Sequence, residues 1–416
     1  MLLVAWALIG PRRSIEALTL SWLLTFLNPG IYTEPIGGDV LRWLVVLAAF
    51  VSVSFCLFRT GFRMPRAWLG VVIFVIVSVI LSIQTSYAPD VSLFKLTSFF
   101  IATTAVLGAF HLTKDQATYW QQWFLIVFSV VVVMSFPLII HDLGFVRNGR
   151  GFQGLTNHPQ AYAAFIAPFL AWVVAIGLQR QRFGIGLATV ITLAGISLFA
   201  TQGRTGVIAA TAGLVLAGMW ALMRRGREAR LPRVWLAIGL VAFGVCVGVG
   251  AFQWSTIKES AVEFVMKDRQ DYTVEEAFYG SRGFLIERSM NNFRENPLLG
   301  IGFGVASDPG AFRIRHDPLL GLPVGASVEK GFTVTAVLEE VGLIGFVFFL
   351  FMIAALLKPI FVPKRAFPEL ALALGAFLVN LGEGVFFAIG GIGLLIWLVI
   401  GAAQVMAKAD PVRPVH

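Results

Sequence analysis

Charge is scarce in this chain. Only 13% of its 416 residues are Asp, Glu, Lys or Arg, 57% are apolar, and mean hydropathy is +0.82. Soluble domains carry about 25% charge, so a soluble globular fold is excluded. Cysteine is nearly lacking. Cys56 and Cys246 both fall within apolar runs, which leaves no disulfide framework and no cysteine-based metal cluster. There is no Walker lysine, no metal-ligand spacing and no defensible Ser-His-Asp pattern. The apolar/polar alternation that a membrane β-barrel needs is also missing. The net charge of +9 bears on membrane orientation rather than on nucleic acid, and none is expected as a partner. The opening MLLVAWALIG lacks a basic n-region and a small-residue cleavage site, so no cleavable signal peptide is expected.

What is abundant is apolar sequence. Runs such as LRWLVVLAAFVSVSFCLF and LGVVIFVIVSVILS approach the roughly 20 residues that cross a bilayer as helix. Spans are predicted over 15–27, 40–58, 67–84, 93–111, 123–140, 160–178, 184–200, 205–222, 234–253, 333–357, 368–382 and 384–405. Residues 1–10 are too short to span and form a partial hairpin before Pro11. The expectation is an all-α, polytopic helical membrane protein of about twelve transmembrane helices. It forms one transmembrane domain over 1–416, with a long loop at 254–332 inserted between spans. Twenty charged residues lie in that loop, from Lys258 to Lys330.

Lys and Arg in short loops set orientation. Alternate loops are basic: Arg12/Arg13, Arg59/Arg63/Arg66, Arg180/Arg182, the Arg224 to Arg233 cluster, and Lys358/Lys364/Arg365. Placing these in the cytoplasm puts 142–159, 201–204, 254–332 and Glu383 on the outer face. The unusual polar residues, which did not set the alternation, then gather on one side.

Four stretches carry candidate chemistry. In VRNGRGFQGLTNHPQAYAAF (Val146 to Phe165), glycines flanked by Arg147 and Arg150 lead through Asn157-His158-Pro159 into a span. Free N–H groups at such a helix start favour phosphate; the alternative is an interfacial turn whose arginines meet headgroups. In ATQGRTGVIAATAGL, Arg204 lies between two apolar runs, where an arginine is costly unless it faces a cavity or ligand. In GSRGFLIERSMNNFRENPLLGIGFG, Ser281 is a predicted N-cap and Asn296-Pro297 a predicted stop. Arg282 opens this helix, and Ile286, Met290 and Phe293 share a face; the alternative is an amphipathic helix lying on the bilayer. The glycine-rich exit resembles a phosphate cradle only superficially. In VEKGFTVTAVLEEVGLIGFVFF, Glu339 and Glu340 lie within a predicted span, which suggests a cavity or an ion pair. Glu383, between the last two predicted spans, is not singled out by any pattern.

The order of these elements resembles the O-antigen ligase/polymerase superfamily, membrane glycosyltransferases of the GT-C type. The resemblance rests on the N-H-P-Q turn, the Arg204 loop, SRG…ERSMNNFRENPLLGIGFG and the following E-x-G-L-I-G. It implies transfer of glycan from an undecaprenyl-diphosphate donor to a glycan or lipid acceptor, on the periplasmic face of the bacterial inner membrane. It implies no metal, nucleotide or other cofactor, and an association with the lipid bilayer and polysaccharide-assembly proteins. By motif position it assigns Arg204 and Arg282 to the donor diphosphate, with Arg150 and Arg147 assisting. Ligase members carry a histidine at a fixed spacing before G-x-x-G. Counting back from Gly342-Leu-Ile-Gly345 places Gly331 and Phe332 there, which points toward the polymerising members. His158, Glu339 and Glu340 are the candidate catalytic groups by type, and spacing does not choose among them.

Overall fold

A backbone crossing hydrocarbon must satisfy its own amides, so long apolar runs without breakers close into helices. The computed structural model describes residues 1–32, 38–61, 64–147, 149–224, 283–311, 314–316, 321–324, 328, 330–361 and 366–408. Thirteen α-helices occur among them. In chain order they are α1 (Leu2–Leu8), α2 (Pro11–Thr25), α3 (Gly38–Arg59), α4 (Arg66–Thr85), α5 (Pro89–Leu112), α6 (Ala117–Ser135), α7 (Pro159–Arg180), α8 (Ile185–Ala200), α9 (Arg204–Arg224), α10 (Phe284–Glu295), α11 (Thr333–Phe361), α12 (Phe367–Glu383) and α13 (Ile392–Met406). Among the described residues, seven stretches are long and apolar enough to cross a membrane; α8 and α13 are apolar but shorter. The protein is a polytopic helical membrane protein. A two-residue antiparallel pair, β1 (Arg315–His316) with β2 (Pro323–Val324), sits in the long loop.

The predicted span at 234–253 lies outside the described residues. The last predicted span, begun at 384, starts instead at Ile392. Gly384 ends α12 in the left-handed conformation (φ 62°), and residues 385–391 turn through local bonds such as Ala388 N–H to the Val385 carbonyl. An apolar turn reads like helix when hydropathy alone is scored.

Helices α7 and α13 form the centre and are buried on nearly every face, as helices apolar all round must be. Around them α12 packs on α7 and α9, α11 on α4, and α5 on α3 and α4. Residues near 28, 86, 157, 204, 303, 333 and 383 meet at one end of the bundle, here the upper end. At the lower end the buried Glu16 carboxylate accepts from Trp6, Arg12, Arg13 and Tyr119 at 2.6–3.1 Å.

One helix is broken. Inside α11, Gly342 takes φ 62° and ψ −169°, a conformation open to glycine and costly for other residues. The break would strand carbonyls before it and amides after it in apolar surroundings. The loop after α10 seals both sides. Ile301 and Gly302 N–H donate to the Glu339 and Glu340 carbonyls at 2.9 Å, and Leu343 and Ile344 N–H donate to the Pro297 and Leu298 carbonyls at 2.8 and 3.3 Å. Gly300, at φ 72°, allows this approach, since a Cβ there would lie 2.6 Å from the Glu340 carbonyl. Phe303 then enters an aromatic cluster with Phe74 and Phe387, ring centroids 6.3 and 5.1 Å away.

Gly342→Ala should therefore destabilise the protein by about 1–3 kcal/mol from backbone strain. Overlap with the Leu298 carbonyl oxygen, 2.3 Å from the new Cβ, should add to this. Thermal denaturation in detergent checks it. Gly186→Ala, where a Cβ meets nothing within 4 Å, should melt like the wild type.

Candidate functional site

The sealed break brings a charged cluster to the upper end. Glu339 is fully buried, and three side chains donate to its carboxylate. Ser289 Oγ reaches Oε2 at 2.7 Å, Asn292 Nδ2 reaches Oε1 at 2.6 Å, and Lys330 Nζ reaches Oε2 at 2.8 Å. Glu340, 7% exposed, lies 3.8 Å from Lys330 Nζ and accepts from the Gly304 amide. Lys95, on α5, donates to the Gly304 carbonyl. Two lysines thus face two glutamates in a site of low polarity, where ion pairs persist only if their remaining hydrogen bonds are met.

This cluster fixes α10. The helix ends at Asn296 as the sequence predicts, but its most buried side chain is Ser289 rather than Ile286, Met290 or Phe293. Ser289 and Asn292, three residues apart, form the polar face that grips Glu339. Arg288 pairs with Asp308 on the outer side of the same helix. Ser281 and Arg282 lie outside the described residues. Glu339 holds α10 against α11, and an acceptor hydroxyl reaching its oxygens would have to displace three donors.

The glycine/arginine turn is equally built. Asn28 Nδ2 donates to the Leu143 and Gly154 carbonyls, at 2.6 and 2.7 Å. The buried Gln153 accepts from the Arg147 amide at 2.8 Å. The Arg147 and Arg150 side chains are exposed. His158 caps α7, its Nδ1 accepting from the Gln160 amide at 3.1 Å. The turn leans on the α8–α9 hairpin: Phe152 N–H donates to the Ala200 carbonyl, and a Cβ on Gly151 would sit 2.9 Å from the Thr201 carbonyl. Arg204, half-buried at the first position of α9, therefore stands beside the turn that carries Arg150.

Helix α12 joins these two halves. Thr205, next to Arg204, packs so closely on Gly382 that a Cβ there would lie 2.5 Å from its methyl. Two residues earlier, the Asn380 backbone carbonyl accepts from Thr333 Oγ1 at 2.6 Å, at the start of α11. Arg42 on α3, 7% exposed, places its guanidinium 3.2 Å from the Cβ position of Gly390. Sequence reading passed over Arg42, Lys95, Ser289 and Asn292. Only the i, i+3 spacing of the last two offered a signal, and it becomes meaningful once their carboxylate partner is known.

Comparison with known families gives one similarity for this arrangement. Residues 187–350 match the family model described as O-antigen ligase. Over that stretch the chain is similar to the O-antigen ligase family. The matched stretch is about two fifths of the chain, and it supports the resemblance to the O-antigen ligase/polymerase superfamily. It runs from α8 through Arg204 and α10 to the broken α11, so the matched stretch contains the sealed break and the buried carboxylates. The family is one of glycosyl-transferring enzymes that use lipid-linked glycans in a membrane. No curated protein matches the chain.

Glu339→Gln removes the principal counter-charge of a buried lysine, and breaking a buried pair costs about 3–5 kcal/mol. The variant should lose monodisperse folded protein on size-exclusion chromatography and melt earlier. Lys330→Met combined with Glu339→Gln, which removes both charges, should recover part of that loss.

Proposed function

We propose that the protein polymerises or transfers undecaprenyl-diphosphate-linked glycan at the periplasmic face of the bacterial inner membrane, without metal or nucleotide. The observation that carries this reading is the O-antigen ligase match over 187–350, whose Arg204 meets the Arg150 turn and the end of α12 at one end of the bundle. Arg204 contacts the donor diphosphate, assisted by Arg150 and Arg147 and by Arg282, whose position lies outside the described residues. Guanidinium groups hold phosphate oxygens bidentately. In a partly dry site they stabilise the charge that grows on the leaving diphosphate. His158 positions substrate or takes part in proton transfer from the cap of α7. Glu340 and Glu339 serve this site through the ion cluster that fixes α10 and α11.

Polymerisation is favoured over transfer to a lipid acceptor by Gly331 and Phe332, which occupy the position of the ligase histidine. The ligase reading is favoured by the description of the matched family itself. The two differ in product.

Purified protein in liposomes, given undecaprenyl-diphosphate oligosaccharide alone, should build longer lipid-linked chains. Arg204→Ala should slow this by about 10²–10³-fold, the usual loss when one charge-stabilising donor is removed. Transfer only when a separate lipid acceptor is supplied would assign the ligase reaction. An Arg204→Ala variant as active as wild type would remove the diphosphate role.

A further inference from the structure

The lower end holds a basic cluster that the glycosyl-transfer reading leaves unused. Glu16, on α2, is buried, and each of its carboxylate oxygens is held by one arginine and one aromatic side chain. Oε1 accepts from Arg12 Nε at 3.1 Å and from the Tyr119 hydroxyl at 2.6 Å. Oε2 accepts from Arg13 Nη1 at 2.7 Å and from Trp6 Nε1 at 3.0 Å. Each arginine also lies over the ring that shares its oxygen. Arg12 Cζ is 3.8 Å from the Tyr119 ring centroid, and Arg13 Cζ is 4.2 Å from that of Trp6. A carboxylate oxygen and a ring face together fix the plane of each guanidinium. The charges do not cancel. Two arginines meet one glutamate, and among the described residues Glu16 is the one carboxylate that pairs with either. Each arginine gives Glu16 a single nitrogen and keeps its other donors for a second partner. Their side chains stay 42% and 36% exposed, so that partner can reach them. Helix α1 supplies an apolar surface beside them. Leu2, Trp6 and Ile9 fall on one helix face, and Leu2 and Ile9 are exposed. Arg13 lies over the middle member of that face. On the other side of α1, Ala7 is buried and its carbonyl accepts from Ser14 Oγ at 2.9 Å, which keeps the apolar face outward. Fastening α1 and α6 to α2 needs one arginine against Glu16. The second, stacked and half-exposed, leaves surplus positive charge against an exposed apolar helix. The ligand that satisfies both is an amphiphile with an anionic head.

We propose that Arg12 and Arg13 form a binding site for the phosphodiester of an anionic membrane phospholipid, whose acyl chain lies along Leu2 and Ile9. Guanidinium groups hold phosphate oxygens bidentately and can stack on a ring at the same time. Basic sites between membrane helices recognise anionic headgroups through this chemistry. The lipid ties the start of α2 to α1 and, through Tyr119, to α6. It therefore steadies the end of the bundle opposite Arg204, whichever reaction the upper end performs.

The test is thermal melting of the full-length protein in neutral detergent, titrated with phosphatidylglycerol, phosphatidylcholine or inorganic phosphate. Phosphatidylglycerol should raise the melting temperature, and phosphatidylcholine should leave it in place. Inorganic phosphate, which lacks the chain, should give only a small part of the shift. Arg12→Lys with Arg13→Lys keeps both charges and the pairing with Glu16 but loses the planar fork. It should need about tenfold more phosphatidylglycerol to reach half the shift. Arg59→Gln, which removes an exposed arginine at the lower end of α3, should leave the titration unchanged. Equal shifts with the two lipids overturn the proposal, and that comparison on wild type decides if the lysine variant does not fold. A full shift with inorganic phosphate overturns it in favour of a free-anion site. A loss with Arg59→Gln as large as with the lysine variant overturns it in favour of general surface charge.

Discussion

A helix broken inside apolar surroundings must have its freed amides and carbonyls met by something. Each such group left unpaired costs several kcal/mol in hydrocarbon. In this protein the break at Gly342 is met by the main chain of residues 297–302. That constraint reaches well beyond four hydrogen bonds. It inserts the exit of the long loop between α4, α5 and α11, draws Phe303 into the aromatic core, and delivers Gly304 to both Lys95 and Glu340. The backbone supplies the register, and the buried ion cluster supplies the second grip, on α10.

Two kinds of polar residue result. Glu339, Lys330, Ser289 and Asn292 are spent on one another, so they locate the loop helix. Arg204, Arg150 and Thr205 sit on turns and helix ends that approach closely at Gly151, against the Thr201 carbonyl, and at Gly382, against the Thr205 side chain. Such turns bring polar groups together without extending long side chains across the bundle. A site for a charged lipid-linked donor and a hydroxyl acceptor is best built from the second kind, carried on a framework set by the first.

Much of this was legible in the chain. Apolar run length gave most of the helices, and Asn296-Pro297 marked the end of α10. The order of motifs pointed to the family before any geometry was known. Other features were hidden for identifiable reasons. Gly342 follows Glu339-Glu340 in a stretch that reads as one continuous span, and only its pairing with residues 297–302 reveals a break. The G-I-G-F-G exit reads like a phosphate loop, yet its glycines serve close packing against α11, α5 and the α4–α5 turn. Ser289 and Asn292 look like surface residues until their partner is placed. Hydropathy alone places the start of α13 too early because a glycine turn at 384–391 is as apolar as the helices beside it.

A role in periplasmic glycan transfer requires that the upper end face away from the cytoplasm. Single cysteines placed at Asn291, exposed on α10, and at Lys114, exposed at the lower end before α6, in a chain with Cys56 and Cys246 replaced by serine, report this directly. In intact spheroplasts a membrane-impermeant maleimide should label position 291 and spare position 114 until the membrane is opened. The reverse pattern, with 114 labelled from outside and 291 protected, would contradict a periplasmic site.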